Sequence, residues 1–197
     1  MNTTIVFAHP WKGSLNRAIL EKVMEHLRQA GDRITLIDLY EDGFNPVMSE
    51  KDLSLYGRGK SADPMVERYN AILDETEKII FLFPIWWYDM PAILRGFFDK
   101  VMLENCAFTD SDNGLQPVRN IRHTVVLTTS AATTDALIHE FGDPVRGTII
   151  AGTFKILGFH NARWHNLGGL NGKTKVDVAQ YLEKIPEFLA AEGFADK

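Results

Sequence analysis

Three short stretches of this chain concentrate residue types that can do chemistry. The first is HPWKGSLN, His9 to Asn16. It joins an apolar run to an amphipathic one, so it is the turn that opens a helix. The free N–H groups and the dipole at a helix start favour an anion. Gly13 permits close backbone approach. Ser14 and Asn16 add short polar side chains, and Lys12 adds charge. Neither GxxxxGK(S/T) nor GxGxxG is present, which argues against a nucleoside-triphosphate loop and a dinucleotide-binding Rossmann turn. Taken alone, the stretch also fits an ordinary strand-to-helix turn capped by Ser14.

The second stretch is PIWWYDMP, Pro84 to Pro91. Trp86, Trp87 and Tyr88 between two prolines are costly in water. Core packing, a protein interface or a rigid wall for a flat ligand would each accommodate them. A position at a strand end favours the wall, with backbone N–H groups aimed at the ligand's edge. The third stretch is TTSAATT, Thr128 to Thr134. Small hydroxyl residues suit either a polar ring edge or a solvated loop.

The elements that must position these stretches are legible from periodicity. Ile5 to Ala8, Arg33 to Leu39, Lys78 to Pro84 and Thr124 to Thr129 read as buried strands, and Phe159 to Leu167 as a weaker fifth. Between them, helical spacing appears over Ser14 to Ala30, Pro64 to Glu75, Pro91 to Met102, Pro144 to Leu157 and Thr174 to Ala191, the last with Pro186 inside it. Tyr40 to Asp63 is an unusually long connection, of the kind that carries function or covers another surface. Apolar strands alternating with amphipathic helices predict an α/β fold: a three-layer, doubly wound, five-stranded parallel sheet of strand order 2-1-3-4-5 in one domain over residues 1–197. Ligands of such sheets bind beyond the strand carboxyl ends where the order reverses, between the first and third strands. The three stretches leave the sheet there.

Composition narrows the class. The net charge of −5, from 21 Lys and Arg against 26 Asp and Glu, disfavours nucleic acid or an anionic membrane as the main partner. The single Cys106 rules out an internal disulfide and fits a reducing compartment. No apolar run approaches the ~20 residues of a spanning helix, and the start MNTTIVFAHP lacks signal-peptide character; the expectation is a cytoplasmic protein. The six His form no spaced ligand set. His160 and His165, five apart on the expected fifth strand, would point to opposite faces, so no metal site is expected. GxSxG is also absent.

A phosphate-accepting helix end, an aromatic wall and a hydroxyl-lined floor together match a phosphorylated flat heteroaromatic, and a flavin nucleotide better than a permanently held nicotinamide nucleotide. HPWKGSLN, DLYEDGFNPVMSEKD (Asp38 to Asp52), FPIWWYDMPAILRGFFDKV (Phe83 to Val101) and the Thr-Thr-Ser turn resemble the flavodoxin-like NAD(P)H:quinone oxidoreductases, the family of DT-diaphorase and small bacterial quinone reductases.

The resemblance implies a tightly held FAD, with FMN as the alternative. NAD(P)H would reduce it and a quinone or similar flat acceptor reoxidise it, in a homodimer with its site at the subunit interface. It places His9, Gly13, Ser14, Leu15 and Asn16 at the flavin phosphates and ribityl chain. Pro84, Ile85, Trp86, Trp87 and Tyr88 fall at the isoalloxazine, and Thr128, Thr129, Ser130 and Ala131 at its polar edge. Phe108 falls at an aromatic wall of the acceptor pocket. Backbone N–H groups and the Thr128 and Thr129 hydroxyls would then stabilise charge on the reduced ring. Departures are also visible. Ser130 and Ala131 stand where the family often has Gly-Gly, and Trp86 where some relatives have Gln. The Tyr and His of the family's charge relay have no counterpart near Asp135, Ala136, Phe141 or Gly142, and His139 is offset, so no catalytic side chain is assigned. An electron carrier of flavodoxin type, and a flavin-binding regulatory subunit of a transport protein, are the competing functions.

Overall fold

The computed structural model describes residues 1–194. In chain order its elements are β1 (Asn2–Phe7), α1 (Leu15–Gln29), β2 (Arg33–Asp38), α2 (Glu50–Tyr56), α3 (Pro64–Asp74), β3 (Lys78–Pro84), α4 (Ala92–Val101), β4 (Phe108–Ser111), β5 (Gly114–Pro117), β6 (His123–Thr129) and α5 (Thr134–His139). A π-helical segment, Pro144–Phe154, then runs into α6 (Lys155–Leu157). It is followed by β7 (Arg163–Leu167), a 3-10 turn (Leu170–Gly172) and α7 (Lys175–Ala191). The five-stranded sheet is parallel throughout, in the order β2-β1-β3-β6-β7. Counting only its own strands, this is the expected order 2-1-3-4-5.

Strand alternation divides the core into two layers. Ile79, Phe81 and Phe83 of β3 point to one face with Tyr69, Leu94 and Phe97. Ile80 and Leu82 point to the other with Ile19, Val23 and Leu189. Both faces are covered, which is why β3 is apolar at nearly every position. Each fully buried aliphatic side chain contributes about 1.5–3 kcal/mol. Helix α1 starts because Ser14 accepts from the Arg17 amide at 3.1 Å, and its buried stripe of Ile19, Leu20, Val23 and Leu27 docks on the sheet.

Four features, besides the short α5, depart from the sequence reading. The long connection after β2 contains α2, nucleated by a capping box in which Ser49 and Asp52 bond each other's backbone N–H. This connection crosses α4 at Gly96, where any Cβ would overlap Pro46. The buried Lys100 holds it down through the Asn45 carbonyl at 2.8 Å and the Asp63 carboxylate at 2.9 Å. Second, β4 and β5 form an antiparallel hairpin closed at Ser111↔Gly114, with Gly114 left-handed at φ +83°. Third, residues Pro144–Phe154 are helical but wound wide. Gly147, Gly152 and the β-branched Thr148, Ile149, Ile150 and Thr153 favour an α-helix weakly, and the Thr148 hydroxyl donates back to the Pro144 carbonyl. Fourth, the fifth strand of the sheet begins at Arg163, not Phe159. Left-handed Asn161 turns the chain first, so His160 lies outside the strand and the opposite-face argument for His160 and His165 does not hold. His165 packs flat on Phe188 with ring centroids 4.7 Å apart.

Candidate functional site

The loops after β1, β3 and β6 leave adjacent strand ends and are tied to one another. The buried Asn16 donates through Nδ2 to Thr129 Oγ1 at 2.9 Å, joining the first loop to the third. The Ile85 amide donates to the Thr129 carbonyl at 2.8 Å, joining the second to the third. His9 meets Trp86 edge-on at 6.1 Å between ring centroids. The structure thus gathers His9, Gly13, Ser14, Leu15 and Asn16 with Pro84 to Tyr88 and Thr128 to Ala131.

In the second loop, Trp86 and Asp89 exchange backbone hydrogen bonds of 3.0 and 3.1 Å. Between them Trp87 and Tyr88 are left-handed, at φ 50° and 63°. That is the pattern of a type I′ turn, which normally takes Asn or Gly. Here two bulky aromatics occupy it, a strained arrangement of the kind found at ligand clamps. Trp87 is 94% exposed. Tyr88 stacks on Phe141 with centroids 4.2 Å apart, so an aromatic ring fills the place near Phe141 and Gly142 where the family resemblance led one to look for a His. A cavity of about 170 Å³ lies between Ile85, Trp87, Tyr88, Ser130, Ala131 and Ala132.

The donor set is the most informative property of this crevice. Among the described residues, the amides of Lys12, Gly13, Leu15 and Asn16, of Trp87 and Tyr88, and of Ala131 and Ala132 donate to no protein acceptor. All three loops therefore offer free N–H groups, and an acceptor-rich planar ligand with a phosphate is the chemical complement. A flavin nucleotide fits that set.

A family model described as a flavodoxin-like fold matches residues 1–189. The chain belongs to the flavodoxin-like fold family. This flavodoxin-like chain is 27% identical over 175 residues to an uncharacterized NAD(P)H oxidoreductase of Haemophilus influenzae, covering 87% of this chain and 85% of that one. It is 29% identical over 148 residues to NAD(P)H dehydrogenase (quinone) 1 of Rattus norvegicus, covering 65% of this chain and 53% of the rat protein, about half its length. Among solved structures it is similar to the NAD(P)H:quinone oxidoreductase from Methanothermobacter marburgensis, with a TM-score of 0.84, 25% identity and coverage of 95% and 96%.

Several side chains of this flavodoxin-like site take roles other than those expected. Thr128 and Thr129 are consecutive in β6, so their hydroxyls face opposite sides of the sheet. Only Thr129 meets Asn16. The Thr128 hydroxyl is used up on β7, donating to Asn166 Oδ1 and accepting from Trp164 Nε1, both at 2.8 Å. The Thr128 hydroxyl is thus committed to β7, whereas the Thr129 hydroxyl accepts from Asn16 and, among the described residues, its own proton has no protein acceptor. Ser130 lines the cavity but turns its hydroxyl back on the Ala132 carbonyl at 2.7 Å. Beside Gly13 lies the Trp11 indole, closer than a Cβ would allow. Lys12 pairs with Glu41 at 3.1 Å, and both side chains are more than half exposed. Phe108 does not join the three loops. It sits on the β4–β5 hairpin and lines a separate groove of about 510 Å³ with Tyr56, Phe98, Met102, Leu115 and Leu157.

The electrostatics favour a neutral His9. Burial pushes its pKa down, and Nδ1 accepts from the Trp11 amide at 3.1 Å, leaving the ring proton on Nε2. Burial also raises the pKa of Asp38, which ends β2, with the Arg17 guanidinium 3.5 Å away. His139 is exposed, its Nδ1 3.1 Å from the Asp135 carbonyl. No group of three His, Cys, Asp or Glu among the described residues is placed to hold a metal ion, and no helix there is long and apolar enough to cross a membrane. The sequence reading missed the Tyr88–Phe141 stack and the part played by Asn166. Neither carries a local signal, because both depend on loops far apart in the chain.

Proposed function

We propose that this protein is a flavin-dependent NAD(P)H oxidoreductase that reduces quinones or similar flat, electron-poor acceptors. The observation that carries the reading is the set of unpartnered amides on three tied loops, one pair of them at the start of α1. A bound flavin would supply the ring that takes up and passes on a hydride. The Leu15 and Asn16 amides, with the α1 dipole behind them, would hold its phosphate. The amides of Trp87, Tyr88 and Ala131 would face the polar ring edge, and preorganised donors there stabilise negative charge without reorganising. No acid or base side chain is needed. Neutral His9 keeps a donor, Nε2–H, and brings no positive charge of its own. FAD is the preferred flavin, with FMN the alternative. Phe108 is separate from the crevice within one chain, which suits a homodimer in which it reaches the partner's acceptor pocket.

The test is the visible spectrum of the purified protein, with chromatography of the released cofactor and an assay of NAD(P)H oxidation with and without a quinone. Flavin bands and acceptor-dependent oxidation are expected. A protein that neither carries nor takes up FAD or FMN would overturn the reading, and one that holds flavin but leaves NAD(P)H untouched would be an electron carrier.

A further inference from the structure

Trp11 is 67% exposed, yet it is not loosely held. Its amide donates to His9 Nδ1 at 3.1 Å, and its carbonyl accepts from the Ser14 amide at 3.1 Å. Its indole lies directly on Gly13: a Cβ there would come within 2.7 Å of Cζ2 and 2.8 Å of Cε2. Gly13 is not left-handed, so the backbone conformation does not explain the glycine, whereas the seat for the indole does. Among the described residues the Trp11 Nε1–H has no acceptor, and no other aromatic ring stacks on it. An exposed, pre-seated aromatic face buries area at small entropic cost when a second flat ring arrives. This one stands four residues before the Leu15 amide, in the turn that opens α1.

We propose that Trp11 is a stacking platform for the adenine ring of a cofactor carrying adenosine diphosphate. The inference deepens the flavin reading and rests on it for the direction in which the phosphates leave the crevice. Adenine could arrive on FAD, beyond the flavin phosphate, or on the nicotinamide dinucleotide. The mode of recognition is the same, a purine π-face on an indole, and it is sequence-tolerant contact of the kind that holds bases on aromatic side chains. Lys12, the next residue in the chain, is paired with Glu41 at 3.1 Å.

The experiment titrates the full chain, freed of bound small molecules, with FAD, FMN, ADP-ribose and NADH separately, by calorimetry and flavin fluorescence. Wild type, Trp11→Ala and Trp11→Phe are compared, with thermal melts to show that an exposed position leaves folding intact. Trp11→Ala is expected to weaken adenine-bearing ligands about tenfold while leaving FMN unchanged, and Trp11→Phe to retain most of the affinity. Selective loss of FAD assigns the platform to the flavin dinucleotide, and selective loss of NADH and ADP-ribose assigns it to the nicotinamide dinucleotide. Equal loss of FAD and FMN, or no loss of any ligand, overturns the inference; no loss of any ligand would leave Trp11 to a protein contact. If wild type takes up neither flavin, the flavin reading fails by itself, and the ADP-ribose and NADH arms still decide the platform.

Discussion

Asn16 Nδ2 donates to Thr129 Oγ1 at 2.9 Å across 113 positions of sequence, both residues buried. This bond fastens the start of α1 to the end of β6, so the first and third loops of the site are joined directly. It also leaves Asn16 Oδ1 buried without a protein partner, which removes part of the bond's net gain.

Removing either end should loosen the site and the fold together. Asn16→Ala and Thr129→Val are each expected to cost about 1–3 kcal/mol, since each strands the other's polar group. The double variant should cost less than the sum of the singles. Urea titrations of the four proteins check the cycle; strict additivity would mean the two side chains do not interact.

Trp87→Gly separates stability from binding. Trp87 is nearly fully exposed and left-handed at φ 50°, a conformation costing a non-glycine residue roughly 1–2 kcal/mol. Glycine relieves that strain but loosens the unfolded chain. Folding stability should therefore hold or rise by up to about 1 kcal/mol, while flavin retention falls. A loss of stability equal to the loss of retention would show that the indole serves packing.

Gly96→Ala tests why the long connection after β2 lies where it does. A methyl group at 96 would overlap both backbone and ring of Pro46, and neither can swing away as a flexible side chain would. A destabilisation of about 1–3 kcal/mol is expected, read from the denaturation midpoint. An unchanged midpoint would mean that the connection slides over α4 freely.

Asp52 gives the fold an acid-sensitive clasp. Burial raises its pKa, but the Ser49 and Ser61 hydroxyls and the Ala62 and Ser49 amides more than reverse this and hold it well below the ordinary carboxylate range. A depressed carboxylate stabilises the fold at pH values above its unfolded pKa of about 3.9, and the contribution disappears as pH falls toward the folded value. Asp52→Asn should therefore be less stable than wild type at pH 7, with the difference narrowing below about pH 4. Denaturation at pH 7, 5 and 3 checks it; a constant difference would contradict the assignment.

The sheet was legible because each strand end carries its own signal. Lys78 to Pro84 is too apolar to face water on either side, and β3 is buried along its whole length. The helices that cover it show one apolar stripe each. The hairpin and α2 were less visible, although the turn at Asn113-Gly114 and the Ser49–Asp52 box are local signals for them. The wide helix from Pro144 was visible as a helix but not as a π-helix, since the distribution of glycine and β-branched residues weakens one winding without naming another.

By itself the sequence determined that three polar and aromatic turns leave the carboxyl ends of parallel strands. That follows from short-range physics: hydrophobic periodicity sets strand and helix, and Ser14 sets where α1 begins. Only the tertiary structure decided which side chains of those turns remain free for a ligand. Thr128 is spent on Asn166 and Trp164, Thr129 accepts from Asn16, and Gly13 seats Trp11. Each of those commitments depends on a partner brought alongside by chain packing, or on the direction a side chain takes once the sheet has formed, and residue type alone carries neither.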